Sequence, residues 1–187
     1  MSLVQLAQQL VGMHLTDGDT AIDATVGNGH DTLFLAQTVG QNGKVYGFDI
    51  QQSALDNCYQ RLGQALAQRV CLIHAGHETM PVVLPEEVCA GAVKAIMFNL
   101  GYLPGGDKSR TTQSTTTLAA LNSATQILAS NGIITILAYT GHPGGKEESE
   151  AVKAWAQMLF NDAFSVSIKT PLDTNKPAPE LISIVKK

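Results

Sequence analysis

Ala21-Ile-Asp-Ala-Thr-Val-Gly-Asn-Gly-His-Asp-Thr32 reads as a short strand that breaks into a glycine turn and then opens a helix. Glycine allows backbone angles and close ligand approach that a β-carbon would block. The helix that follows offers unpaired amides at its first turn. Such a turn suits a cofactor, but Gly27-Asn-Gly29 matches only the first two glycines of GxGxxG, so the glycines do not say which one.

Outward from this turn the chain alternates between two periodicities. Upstream, Leu3, Leu6, Ala7, Leu10 and Val11 recur at helical spacing and predict a short amphipathic helix. Thr20–Ala24 is the first strand and Asp31–Val39 the helix after it. Lys44–Phe48 is a strand ending at Asp49, followed by a helix from Ser53 to Leu66 and a strand at Val70–His74. Lys94–Asn99, Thr115–Ala129, Ile133–Tyr139 and Lys146–Phe160 continue the rhythm as strand, helix, strand, helix. Strands alternating with helices imply a mostly parallel sheet covered on both faces. The end departs from this. Phe164–Thr170 and Leu181–Lys186 are both extended, and between them lie Pro171, Asp173, Asn175, Pro177 and Pro179 rather than a helix. Strands joined without a crossover pair antiparallel. The expected fold is therefore α/β and Rossmann-like, a mostly parallel seven-stranded sheet closed by an antiparallel hairpin. By fold analogy, that is the layout of class I methyltransferases.

Composition sets the bounds. A chain of 187 residues, 44% hydrophobic, is expected to form one domain over residues 1–187. Its formal net charge of −4 provides no global basic field, so a polyanion must be met by a local patch. Cys58, Cys71 and Cys89 are odd in number and lack CxxC spacing, which reads as reduced thiols with no metal site. The first fifteen residues lack the basic region and cleavage site of a signal peptide, and no apolar run is long enough to span a bilayer. A cytoplasmic protein with no membrane partner is the expectation.

The acids around the turn discriminate between ligands better than its glycines do. Asp23 ends the first strand and Asp31 lies in the first helical turn. A pyrophosphate there would meet two carboxylates, whereas S-adenosylmethionine carries a sulfonium and an ammonium, both cationic. The alternative is that Asp31 merely favours the helix dipole and faces solvent. Asp49 ends the second strand at the place where a carboxylate accepts both ribose hydroxyls of an adenosine cofactor, with Gln51 and Gln52 beside it. The third strand runs into His74-Ala-Gly-His-Glu78, where an adenine would lie. There His77 could pack on the ring and Glu78 could meet its amine.

A second constellation, Asn99-Leu-Gly-Tyr-Leu-Pro-Gly-Gly-Asp107, follows the fourth strand. An asparagine, an aromatic and a proline at this edge resemble the NPPY-type loop of methyltransferases acting on nitrogen. The Asn99 carbonyl would accept from an amine and orient its lone pair for in-line displacement, while Tyr102 stacks or contacts the nucleophile. Asn99 positions rather than deprotonates; Tyr102, Asp107 and His142 are the candidates to take a proton. Tyr139-Thr-Gly-His-Pro-Gly-Gly-Lys146 lies on the same edge. Lys108, Arg110 and Lys146, with His142, thus form a rim that could hold RNA phosphates while an unstacked base enters. Trp155, at helical spacing with Met158 and Leu159, reads as core.

Asp23-Ala-Thr-Val-Gly-Asn-Gly-His-Asp-Thr32, Phe48-Asp-Ile-Gln51, His77-Glu78, Asn99-Leu-Gly-Tyr-Leu-Pro-Gly-Gly-Asp-Lys108 and Tyr139-Thr-Gly-His-Pro-Gly-Gly-Lys146 together resemble a family of small bacterial methyltransferases. That family was long labelled as rRNA methylases. Its members are understood to methylate the 5-aminomethyl group of the wobble uridine in tRNA, often 2-thiolated. The resemblance covers nearly the whole chain. It implies a class I fold, S-adenosylmethionine as methyl donor, the anticodon region of tRNA as partner, and a homodimer. Carried over by position, Asn28, Gly29, Asp49, Gln51, His77 and Glu78 would contact the cofactor, and Asn99 and Tyr102 would face the amine. Asp23, Thr25, Gly27, Asp31, Thr32, Ile50 and Asn99 complete the expected cofactor set. Thr25 replaces the first glycine of the wider DxGxGxG pattern and would narrow the methionine end. An rRNA or small-molecule methyltransferase would share every cofactor residue.

Overall fold

The computed structural model describes residues 1–103, 105, 111–159, 163–170 and 179–187. Its strands are β1 (Thr20–Asp23), β2 (Lys44–Asp49), β3 (Val70–His74), β4 (Val93–Leu100), β5 (Leu128–Ala138), β6 (Phe164–Lys169) and β7 (Glu180–Lys186). They form one sheet in the order β3-β2-β1-β4-β5-β7-β6. The first five strands pair in parallel, and β7 lies between β5 and β6, antiparallel to both. This is the class I methyltransferase arrangement that the strand pattern and the crossover-free ending predict.

The helices divide between the two faces of the sheet. On one face α1 (Leu3–Gly12), α2 (His30–Thr38) and α3 (Gln52–Ala67) bury Ala7, Val11, Leu35, Leu55 and Cys58 against Val45, Ala95 and Met97. On the other, α4 (Met80–Val83), α5 (Glu86–Cys89), α6 (Ser114–Ile127) and α7 (Gly145–Met158) bury Met80, Val88, Leu121 and Trp155 against Phe48, Ile96 and Phe98. Along β4 the side chains alternate, Ala95 and Met97 to one core and Ile96 and Phe98 to the other, so the middle of this central strand is apolar at every position. Trp155 is core, and its indole N–H donates to Asn122 Oδ1 at 2.8 Å. Each buried aromatic of this kind contributes about 1.5–3 kcal/mol by leaving water. Among the described residues no helix is long and apolar enough to cross a membrane.

Three details depart from the sequence reading, each for a local reason. The stretch between β3 and β4 holds a 3-10 turn at His77–Thr79 and the four-residue helices α4 and α5, too short for a period of 3.6 residues to register. β5 starts at Leu128, five residues early. Its register against β4 slips between the Val93 and Ala95 partners, where Asn131 takes a φ of 57° and Gly132 follows. α3 contains Gly63 at φ 63° and ψ 173°, which breaks the helix within one continuous span.

Candidate functional site

β1 feeds β2 and β3 on one side of the sheet, and the chain then returns to place β4 on the other side of β1. Loops leaving the carboxyl ends of β1 and β4 therefore diverge, and a crevice opens between them. The glycine turn is anchored there by backbone bonds, Ala24 N–H donating to Met97 O and Val26 N–H to Phe48 O. Gly29, at φ 75°, caps α2, and a β-carbon on it would stand 2.8 Å from Cys58 of α3. No side chain fits at that position.

Beneath the turn lies Asp23, with no exposed surface. It accepts from Thr25 N at 3.1 Å and Thr32 Oγ1 at 2.6 Å. Burial, then the charge of Asp31, push its carboxyl up to about 7. Asp23, Gly29 and Thr32 thus support the loop from below and line neither cleft described next. The carboxylate that reaches the surface on this side is Asp49. Its Oδ2 accepts from Gly27 N and its Oδ1 from Gln51 N, both at 2.9 Å, which fixes both oxygens at the end of β2 and leaves further lone pairs for a ligand.

Two clefts meet over this loop. The first, about 330 Å³, is lined by Thr25, Gly27, Asp49, Ile50, Gln51, His77, Glu78, Asn99 and Tyr102. Gly101, Leu103, Thr111, Thr112, Gln113 and Thr116 close it. The second, about 610 Å³, is lined by Thr25, Gly27, Asn28, His30, Asp31, Asn99, Tyr102, Tyr139, Thr140 and His142, and Val4 of α1 reaches it. Thr25, Gly27, Asn99, Gly101 and Tyr102 belong to both, so the clefts communicate at the end of β4. Thr25 joins the two halves directly: its hydroxyl accepts from Asn99 N–H at 2.6 Å, a bond that the glycine of the wider pattern cannot make.

His77 is buried and packs edge-on against Phe98, with ring centroids 5.6 Å apart. Its Nδ1 lies 3.2 Å from Ala24 O, and because a carbonyl only accepts, Nδ1 carries the proton. Burial lowers its pKa, so the ring is a neutral wall for a flat ligand. Ile50, half exposed, is the apolar lip of the same end. At the other end Asn99 Nδ2 donates to Asp31 Oδ2, and Gln8 Nε2 of α1 donates to Asp31 Oδ1, both at 2.7 Å. Tyr139 feels the same carboxylate: burial first and the Asp31 charge second raise its pKa and keep the phenol protonated. Tyr102 pairs with Thr111 across an isolated antiparallel bridge, and Thr112 N–H donates to Gly101 O. Glu148 of α7, 2% exposed, secures that wall by accepting from Thr112 Oγ1 and Thr117 Oγ1 at 2.6 Å each.

The cationic rim is less complete. Lys108 and Arg110, like Asp107, lie outside the described residues. Lys146 is exposed on the first turn of α7 and lines neither cleft. His142 lines the second cleft beside Tyr102, but its Nε2 is buried with no hydrogen-bond partner among the described residues, facing the Gly145 backbone, while Nδ1 lies 3.1 Å from Pro143 O. Among the described residues no lysine or arginine lines either cleft, whereas Asp49 and Glu78 line the first and Asp31 the second. Among the described lining residues a pyrophosphate would find carboxylates and no counter-charge, whereas an adenosine carrying cationic groups fits this donor set. Gln8, Val4, Glu148 and Thr112 are the contributors that motif reading missed. Only the helical pattern of α1 and the Thr-rich run after position 110 hinted at them.

Comparison with known proteins places this geometry. Residues 45–185 match the family model described as "Putative rRNA methylase". Among curated proteins, the Arabidopsis thaliana chloroplastic tRNA (mnm(5)s(2)U34)-methyltransferase is 44% identical over 151 residues. That alignment takes in 76% of this chain and 54% of the relative, so the chain spans about half the length of the plant protein it matches. A Clostridium thermocellum protein described in the same words as the family superposes with a TM-score of 0.93 at 40% identity, over 100% of this chain and 98% of that one. A Streptococcus mutans protein solved in complex with SAH superposes with a TM-score of 0.87 at 34% identity, over 98% and 97% of the two chains. With three quarters of its length inside the family model and a fold that matches end to end, the chain belongs to this methylase family.

Proposed function

We propose that the protein is an S-adenosylmethionine-dependent RNA methyltransferase that N-methylates the 5-aminomethyl group of the wobble (2-thio)uridine of tRNA, acting in the cytoplasm as a homodimer. The observation that carries this reading is the pair of clefts meeting at Asn99, one suited to adenosine and one facing the Asp31 side of the turn. The wobble-uridine substrate rests on the plant relative, whose name specifies it. S-adenosylmethionine is the cofactor, and once bound its sulfonium supplies an electrophilic methyl group. The chain's own residues bind and align. Asp49 takes the ribose hydroxyls on the lone pairs that Gly27 and Gln51 leave, and Ile50 and His77 enclose the adenine. Asn28 lines the second cleft, where the acceptor enters. Asn99 accepts an N–H of the amine through its carbonyl oxygen and turns the nitrogen lone pair toward the junction. Tyr102, shared by both clefts, stacks on the uracil ring. Alignment of this kind accounts for several kcal/mol of barrier lowering, in the range of about 7–11 kcal/mol for well-oriented reactants. Lys108, Arg110 and Lys146 are the residues proposed to hold backbone phosphates.

Nucleoside mass spectrometry of tRNA and rRNA from a strain lacking the gene tests the reading. The expected result is accumulation of 5-aminomethyl uridine species in tRNA, with restoration of the methylated form when purified protein and S-adenosylmethionine are added back. The family description favours one second reading, an rRNA substrate. Loss of a methyl mark in rRNA with an unaltered wobble profile would establish that reading instead.

A further inference from the structure

The acid at the start of α2 has a role that the cofactor reading of the glycine turn does not give it. Both oxygens of Asp31 are engaged, Oδ1 by Gln8 Nε2 and Oδ2 by Asn99 Nδ2. The residue is 6% exposed, so these are held contacts and not solvated ones. A carboxylate offers only acceptors. The nitrogen end of the Asn99 amide must therefore face Asp31, and the carbonyl end must face the opposite way. Among the described residues nothing bonds that carbonyl oxygen, and Asn99 lines both clefts. The Asn99 backbone is fixed as well, through its N–H bond to Thr25 Oγ1. With main chain and side chain both held, the amide has one orientation.

We infer that Asp31, braced by Gln8 of α1, is the positioning residue of the acceptor site. It sets the polarity of Asn99 so that an acceptor, not a donor, points to the junction of the clefts. The consequence is specificity. A nucleophile that brings N–H groups to that point is matched, and one that needs to receive a hydrogen bond there is not. Helix α1, outside the alternating strand and helix pattern of the sheet, becomes part of the active site through one glutamine. This assignment rests on the methyltransferase reading for its kinetic consequence, but its structural content does not.

Asp31→Asn tests it with little threat to the fold, since volume and hydrogen-bonding capacity are kept while the acceptor-only character is lost. Either end of the Asn99 amide can then face position 31. The expected result is a fall of about tenfold in turnover at saturating S-adenosylmethionine, approaching about 100-fold in Asp31→Ala, where nothing holds the amide. The cofactor dissociation constant, from calorimetry, stays within about twofold. Gln8→Leu, which lies outside the cofactor cleft, gives a smaller fall of the same kind. A second readout needs neither cofactor nor RNA. The Asn99 side-chain amide resonance, assigned by its disappearance in Asn99→Ser, moves in Asp31→Asn and in Gln8→Leu. Cofactor affinity weakened about tenfold with turnover unchanged at saturation would overturn the assignment, because Asp31 would then serve the cofactor. Unchanged turnover together with an unmoved resonance would also overturn it. If the wild-type protein methylates no RNA, the proposed function fails, and the amide resonance alone decides the role of Asp31.

Discussion

The first cleft is walled by short runs at or just after strand ends, at residues 24–27, 48–51, 75–78 and 99–103, and closed by Thr111, Thr112, Gln113 and Thr116 around the start of α6, whereas the second adds α1, the start of α2 and the loop after β5 to the glycine turn and the end of β4. The first therefore depends on backbone geometry and one fixed carboxylate. The second depends on side chains meeting from elements far apart in the chain, such as Gln8 with Asp31 and Asp31 with Asn99. A site of the first kind holds a constant ligand well; one of the second kind can change its acceptor by changing a few side chains.

Substitutions that damage one half and spare the other make that difference measurable. The largest effect is expected from Asn99→Ala, which removes the acceptor at the junction: turnover falls about 100- to 1000-fold, while calorimetry finds cofactor affinity nearly intact. Loss of affinity equal to the loss of turnover would mean that the two halves are not separable at Asn99. Asp49→Ala is the converse. It removes the acceptor of Gly27 N–H and Gln51 N–H and the expected ribose contact, and cofactor binding weakens about 100-fold, or about 2.7 kcal/mol. Glu148→Ala sharpens the comparison from outside either ligand. It leaves Thr112 and Thr117 hydroxyls without their buried acceptor, so chemical denaturation registers a loss of about 2 kcal/mol. Glu148→Gln, which retains an acceptor, loses less.

The last expected effect is a slope with pH rather than a drop. Asp23 has its carboxyl raised from 3.8 to about 7 in the folded protein. The folded state therefore binds a proton more tightly than the unfolded chain. The stability this gives is fully present below about 3.8 and is lost as pH rises through about 7. In Asp23→Asn that dependence disappears. Thermal melts across this window are expected to show the wild type losing ground to the variant as pH rises, with the difference levelling above 7. A difference independent of pH would mean that Asp23 keeps an ordinary carboxylate pKa beneath the turn.

Legibility in the sequence follows the same division. β1 to β5, with α2, α3 and α6 among them, announce themselves because each is long enough for its own period to register. The crossover-free ending predicts the antiparallel pair from Pro171 to Pro179. What periodicity does not carry is the span from Ala75 to Gly91, with elements of three or four residues. The site divides likewise. Asp49, Gln51, His77 and Asn99 sit at strand ends and can be placed by register alone. Asp23 and Asp31 are both visible as acids, yet sequence spacing cannot say that one faces down into the core and the other across to β4. That depends on which rotamer the packing of α1 and α3 allows. Gln8 carries no signal at all, since a glutamine on an amphipathic helix is ordinary.

The contact between Gly29 and Cys58 limits how this scaffold can be varied. A β-carbon at position 29 would meet the Cα of residue 58 as closely as its sulfur, at 2.8 Å. Trimming the cysteine would therefore make no room, and the whole of α3 would have to back away from α2. A library that varies the glycine turn by itself would spend its diversity at position 29 on chains whose two helices cannot close. The turn and the middle of α3 form a single unit of inheritance, and any change to the loop has to begin with the distance between the helices.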